Sequence, residues 1–379
     1  TPSRGKIQYW ECGNIPWVKI SDIKERYISR TSEMVTAEGL HHSSAKLFPI
    51  GTILISIFAT LGEVGILRIE ACCNQALVGI QLMDESVDIN YLYYYLKSIR
   101  SHFESLGRGV AQNNINLSIL KNTKVAVPPL ETQRRIVAIL DKADETRRLR
   151  AQADELVRRL MGSAFSEMFG DPMRNPKGWK KETLDNVCSE IYRYPTFYGF
   201  EYVPEGVPVL KISNMTSDGI FPEDLSLYDK ITDEINIKYP RTIVEEGDIV
   251  MEARGTYIGT CSLVPKQLAG SNISPNTIRI SPNRNLILPD FLLHLSFTEA
   301  WKSEIDRRVR YWKAGFGTIK STELKSLEIP IPPIQLQSRF SSVVERCSSL
   351  LQNQRHSNQE LSNLSGHLQQ KAFTGELVA

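Results

Sequence analysis

The chain has 379 residues, 41% of them hydrophobic and 23% charged, with a formal net charge of +2. This composition excludes a low-complexity or collagen-like chain. No apolar run reaches the roughly 18 residues of a membrane helix, since residues 50–57 are interrupted by Gly51, Thr52 and Ser56.

In chain order, a strand is expected over 17–21, within Ile15-Pro16-Trp17-Val18-Lys19-Ile20-Ser21. After a polar loop comes a strand over 51–57, opened by a glycine turn, then a shorter one over 77–82 and a helix over 91–103. The adjacent Cys72-Cys73 reads as part of a strand. A glycine-containing loop leads to an extended stretch over 125–129, where Pro128 and Pro129 bar helix before them.

The same order then returns. Val207-Pro208-Val209-Leu210-Lys211-Ile212-Ser213 repeats the first motif at an offset of 192. Gly247-Asp248-Ile249-Val250-Met251 repeats Gly51-Thr52-Ile53-Leu54-Ile55 at 196, and Asp290-Phe291-Leu292 repeats Asn90-Tyr91-Leu92 at 200. Ile331-Pro332-Pro333-Ile334, with Gln337 and Arg339, repeats Val127-Pro128-Pro129-Leu130, with Gln133 and Arg135, at 204. One unit is therefore written twice, with small loop insertions. Strands dominate it, which makes each copy a mixed α+β domain. The second copy begins near Gly178-Trp179, well ahead of Val207, while only a short stretch precedes Ile15. The first copy is therefore expected to lack an opening strand through truncation at its start.

Residues 131–169 and 335–373 contain no proline and are rich in good helix formers. A helix of that length spans about 58 Å, more than a small domain, so each is the natural partner of the other. The predicted seam is Ile139, Ala143, Thr146, Arg150, Ala153, Val157, Leu160 and Ala164. It recurs 204 residues on as Val343, Cys347, Leu350, Gln354, Ser357, Leu361, Leu364 and Leu368. The alternating steps of four and three are those of a coiled coil, with polar interruptions at Thr146, Arg150, Gln354 and Ser357. The predicted fold is two similar α+β globular domains separated by two long antiparallel helices, with a pseudo-twofold internal repeat. Its parts are 1–129, 130–171, 172–333 and 334–379.

Several motifs carry a family resemblance: residues 15–22, Ser43-Ser44-Ala45-Lys46-Leu47-Phe48-Pro49-Ile50-Gly51-Thr52, and Pro128-Pro129-Leu130-Glu131-Thr132-Gln133-Arg134-Arg135-Ile136-Val137. Together they resemble the specificity subunit of Type I restriction-modification systems, over nearly the whole chain. Residues 335–339 depart from the usual form of the last motif. The resemblance implies two target-recognition domains, each reading one half of a split, asymmetric site in double-stranded DNA, with the helices as spacer. It implies two modification (methyltransferase) subunits carrying S-adenosylmethionine, and restriction subunits that use ATP and Mg for translocation and cleavage. The subunit itself is then expected to bind no cofactor or metal and to be non-catalytic, cytoplasmic and free of membrane.

Base edges are read by Arg, Lys, Asn and Gln, and phosphates are held by Lys and Arg. In the first copy the candidates are Lys19, Lys46 and, in the glycine-containing loop, Arg108, Gln112, Asn113 and Asn114. In the second they are Lys211, Asn214, Arg254, Tyr257, Arg310 and Lys313. Arg254 either reads DNA or pairs with Glu252. The aromatics of Arg310-Tyr311-Trp312-Lys313-Ala314-Gly315-Phe316-Gly317 either stack or wedge into DNA or pack on the adjoining helix. A methyltransferase is the rival enzyme class, but Pro128-Pro129 and Pro332-Pro333 are followed by Leu130 and Ile334, not by an aromatic residue, and no phosphate-loop motif is present. Six scattered cysteines without a C-x-x-C pair, and the lone His41-His42 pair, point away from a metal site. A plain coiled-coil scaffold explains the helices but not two elaborate domains.

Overall fold

The computed structural model describes residues 1–107, 117–171, 174–193, 201–216, 218–313 and 315–374. The chain divides into two compact units, Thr1–Ala151 with Arg355–Ala379, and Gln152–Gln354. Both boundaries fall inside the long helices, Leu130–Phe169 and Ile334–Thr374. The first unit takes the start of one helix and the end of the other, and the second unit the reverse. That is the division made by two helices running in opposite directions.

Each unit has the same strand logic. In the first, Ile15–Val18 lies between Glu33–Val35, antiparallel, and Cys72–Cys73, parallel. In the second, Val207–Leu210 lies between Lys230–Ile231, antiparallel, and Asn272–Ile273, parallel. A second sheet follows in both. Ile53–Ser56 is flanked by Val64–Leu67 and Leu77–Ile80, as Ile249–Glu252 is by Cys261–Leu263 and Thr277–Pro282. Gly51 and Gly247 open the central strands with φ of 86° and 85°, a conformation that side chains beyond glycine rarely adopt.

The copies differ at their edges. In the second unit Cys188–Arg193 extends the main sheet, and Lys180–Thr183 pairs with Glu328–Ile331. In the first unit 125–129 forms no strand, and the edge beside Val64–Leu67 is Tyr27–Ile28. The helix expected over 91–103 is two helices, Ile89–Ser98 and Arg100–Gly107. Its counterpart is Pro289–Ser296 and Glu299–Asp306, the latter started by Thr298, whose hydroxyl accepts from the Trp301 N–H at 3.2 Å.

A buried glutamine joins each long helix to its globular part. The Gln133 side chain donates to the carbonyls of Ser86 (2.8 Å) and Pro128 (2.7 Å) and accepts from the Asp88 N–H (2.8 Å). Gln337 repeats this with the carbonyls of Leu286 (3.1 Å) and Pro332 (2.9 Å) and the Leu288 N–H (2.8 Å). Both are 0% exposed. Asp88 and Leu288 are the N-cap residues of the helices that follow them, so each amide fixes a helix start against a helix start. Aromatic contacts complete the joint. Phe373 lies 5.4 Å from Tyr91 and 5.3 Å from Tyr95, while Phe169 lies 4.9 Å from Phe291 and 5.5 Å from Phe340.

These joints set the rotation of the long helices and correct the predicted seam. The buried stripe starts at Gln133, Ile136 and Leu140 in one helix, and at Gln337, Phe340, Val344, Cys347 and Leu351 in the other. Ala143, Val157, Leu361 and Leu368 are half-buried, in phase with it, and Val343 is half-buried beside the buried Val344. Ile139, Leu160, Leu350 and Leu364 are exposed instead, Leu160 to 57% and Leu350 to 52%. Steps of four-three and three-four fit the same apolar residues, and a polar residue, the glutamine, selects between them.

Two outcomes follow for stability. Gln337→Leu strands one buried N–H and two buried carbonyls, and should cost roughly 2–5 kcal/mol, read from the urea unfolding midpoint. A change below about 0.5 kcal/mol, the size of an ordinary surface substitution, would contradict the joint. His294 is buried beside Phe340 at 4.9 Å and Phe165 at 6.3 Å, and burial holds its ring below the ordinary histidine range. Above about pH 6.5 folded and unfolded rings are both neutral. As pH falls through that value the unfolded chain takes up the proton first, so stability declines on acidification. His294→Leu should flatten the decline in unfolding midpoint between about pH 7 and pH 5, and an unchanged slope would refute the assignment.

Candidate nucleic-acid interface

In the second unit a small sheet forms from Arg254–Gly255, Phe316–Thr318 and Arg310–Lys313, with Phe316–Thr318 in the centre. Its turn is set by a buried carboxylate. Glu252 accepts from the Tyr257 N–H at 3.0 Å, and burial pushes its pKa above the usual carboxylate range. Gly255 has φ of 155°, and a Cβ there would meet the Glu252 Oε1 at 2.1 Å, so only glycine lets the chain pass. Tyr257 is left 74% exposed at the tip.

Arg254 and Arg310 both sit opposite Thr318, one on each side, so the three share one face of the sheet. Thr318 donates to the Ala253 carbonyl at 3.1 Å and accepts from Arg193 at 3.1 Å. Arg193 also donates to the Pro275 carbonyl at 3.2 Å. Burial, then the charge of Arg254, holds its pKa below the usual arginine value. Arg254 does not pair with Glu252. Its guanidinium lies over the Trp312 ring at 5.4 Å, and it makes no ion pair among the described residues. Arg310 has Glu323 at 3.8 Å. The charge of Arg254 acts on Arg193, and Arg254 pairs with no carboxylate among the described residues, an arrangement that favours an anion.

Of the aromatics of this sheet, Tyr311 bonds Asp306, at the end of the adjoining helix, through its hydroxyl. Tyr311, Trp312 and Phe316 are each about half exposed. Lys313 lies on the same strand as Trp312, paired with Phe316. Arg193 was missed from sequence because nothing local marks it. Its relevance comes from strand pairing with Ile278 and the bond to Thr318, far along the chain.

Other candidates have local roles. The Lys19 ammonium bonds Glu33 at 2.7 Å, and Lys211 bonds Asp229 and lies over the Tyr202 ring at 3.7 Å. Asn214 accepts from the Lys211 N–H at 3.0 Å and donates to the Leu227 carbonyl at 3.0 Å, just as Asp22 accepts from the Lys19 N–H at 2.8 Å. These bonds close the turns Ile20–Asp22 and Ile212–Asn214, so the strands expected to run on to Ser21 and Ser213 end at Val18 and Leu210. Asn214 is thus a turn cap whose amide is engaged at both ends. Lys46 is exposed. Arg108, Gln112, Asn113 and Asn114 lie outside the described residues.

Among the described residues no group of three or more His, Cys, Asp or Glu side chains is placed to hold a metal, and no helix is long and apolar enough to cross a membrane. Cys72 and Cys73 are a strand, as expected, and burial pushes their thiols to about 11 and about 12.

A family model described as the Type I restriction modification DNA specificity domain matches residues 1–158 and 176–363. Among curated relatives, the specificity subunit of the Type I restriction enzyme EcoR124I/EcoR124II of Escherichia coli is 32% identical over 38% of this chain and 37% of its own length. That of EcoBI, also from Escherichia coli, is 22% identical over 82% of this chain and 70% of its own. That of MjaIX from Methanocaldococcus jannaschii is 24% identical over 100% of this chain and 90% of its own. A solved chain from work on complex assembly and conformational transition of the type I R-M system superposes with a TM-score of 0.60 at 21% identity, covering 96% of this chain and 92% of that one. The S subunit of a Type-I restriction-modification system from M. genitalium gives 0.55 at 17% identity, covering 96% and 93%. Both share the fold.

Proposed function

The chain belongs to the family of Type I restriction-modification DNA specificity subunits, and from that premise we propose that it reads a bipartite, asymmetric site in double-stranded DNA. Each globular unit reads one half, and the two long helices serve as spacer. The observation that carries this reading is one strand scaffold occurring twice with unlike exposed residues upon it. Strands order identically around Ile53–Ser56 and Ile249–Glu252. One copy exposes Lys46, the other Arg254, Tyr257 and Arg310. A shared scaffold with different surfaces suits two half-sites of different sequence.

In this reading the chain is non-catalytic and acts in the cytoplasm. It directs two modification subunits, which bind S-adenosylmethionine and methylate adenine, and restriction subunits that use ATP and Mg. Arg254 and Arg310, with Lys313 on the strand between Trp312 and the turn, contact DNA in the second unit. Lys46 does so in the first, with Arg108, Gln112, Asn113 and Asn114 as further contacts there. Lys19, Lys211 and Asn214 support the readers through the turns they close.

Arg254→Ala tests the division of labour. Binding of the chain with its modification subunits is measured on duplexes altered in one half-site or the other. The variant should lose discrimination, by about tenfold or more for one good side-chain contact, in one half only. Equal loss in both halves, or none in either, would contradict it.

A further inference from the structure

Exposed large aromatics are costly on a soluble surface unless something covers them. Three lie on or next to the small sheet of the second unit: Trp312 (49% exposed) and Phe316 on its strands, and Tyr257 two residues beyond its edge strand Arg254–Gly255. Phe316 shares a face with Thr318 by strand alternation, and the contact with Arg254 brings the indole of Trp312 to that face. The ladder shifts register between Tyr311 and Lys313, which makes Trp312 the bulged residue. A bulge re-aims its side chain and is a common device beside functional sites. The Tyr311 ring, by contrast, packs over Gly317, where a Cβ would come within 2.9 Å of it, and its hydroxyl bonds Asp306.

We propose that Trp312, with Phe316 and Tyr257 beside it, is a wedge that stacks against bases at an opened step in the DNA half-site read by the second unit, while Arg254 and Arg310 hold the flanking phosphates. This rests on the DNA-reading function proposed above. The charge pattern selects DNA over a protein partner. Arg254 has no carboxylate among the described residues, and its charge acts on Arg193 close by. A phosphate backbone supplies the anion that Arg254 lacks among the described residues. Base stacking on an aromatic ring with a cation alongside is the matching contact for the rest. Specificity then comes partly from how readily the step opens, not from hydrogen bonds to base edges alone.

The test uses the full chain assembled with modification subunits and target duplexes carrying 2-aminopurine at successive positions of the second half-site. Binding by the parent should raise fluorescence at one step. Trp312→Ala should abolish that rise and weaken binding by between about fivefold and a hundredfold, while Trp312→Phe should keep most of both. Normal binding by the parent with no rise at any position overturns the wedge, as does a Trp312→Ala variant that binds and unstacks like the parent. Loss of modification-subunit capture with the fluorescence rise intact would assign the face to a protein and also overturn it. A parent complex that shows no preference for any duplex sequence overturns the DNA-reading function itself, and the wedge with it.

Discussion

A primary amide buried in protein must satisfy its donors and acceptor or lose their hydration without return. Gln133 and Gln337 meet that requirement in only one arrangement of their surroundings. Each holds a carbonyl before the helix it will cap, the carbonyl of its own preceding proline, and the amide of an N-cap residue. Moving the long helix by one residue, or rotating it, breaks all of these at once. Fixed helix phase then decides which apolar side chains turn inward, and so where Phe373 meets Tyr91 and where Phe169 meets Phe291. A nonpolar residue in the same place would fill the space without choosing an orientation.

The two joints use the same glutamine but different surroundings. Beside the first, Arg26 bonds Asp141 and lies 2.5 Å from the Tyr94 hydroxyl, which also donates to Asp144 at 3.1 Å. Beside the second, the equivalent space is aromatic, with Phe165, Phe169, Phe291, His294 and Phe340 in mutual contact. The duplicated scaffold thus tolerates a polar network and an apolar one, provided the amide remains. The exposed surfaces have diverged as well. A net charge of +2 conceals a local arrangement in which Arg193, from the edge of the main sheet, reaches Thr318 on the small sheet that carries Arg254 and Arg310.

What sequence made legible was whatever local periodicity and self-similarity encode. The repeat placed the central strands and the order of elements, and proline-free runs placed both long helices. The phase of those helices was not legible, because the deciding residues are polar and their partners, Ser86 and Leu286, lie far back in the chain. Asn214 looked like a base reader because Asn is one elsewhere. Only the fold shows its amide committed at both ends to a turn. Arg254 was legible as a residue leaving a strand, but the choice between Glu252 and Trp312 as its neighbour depends on the Gly255 turn and on a strand some sixty residues away.

On the proposed function, twin scaffolds with unlike surfaces make one demand on DNA. The most direct measurement is a map of the methylated adenines in DNA modified by this chain together with modification subunits. The account predicts two specified sequences, different from each other, separated by a gap of constant length and no sequence preference. A single uninterrupted motif, or two identical halves related by a palindrome, would contradict it.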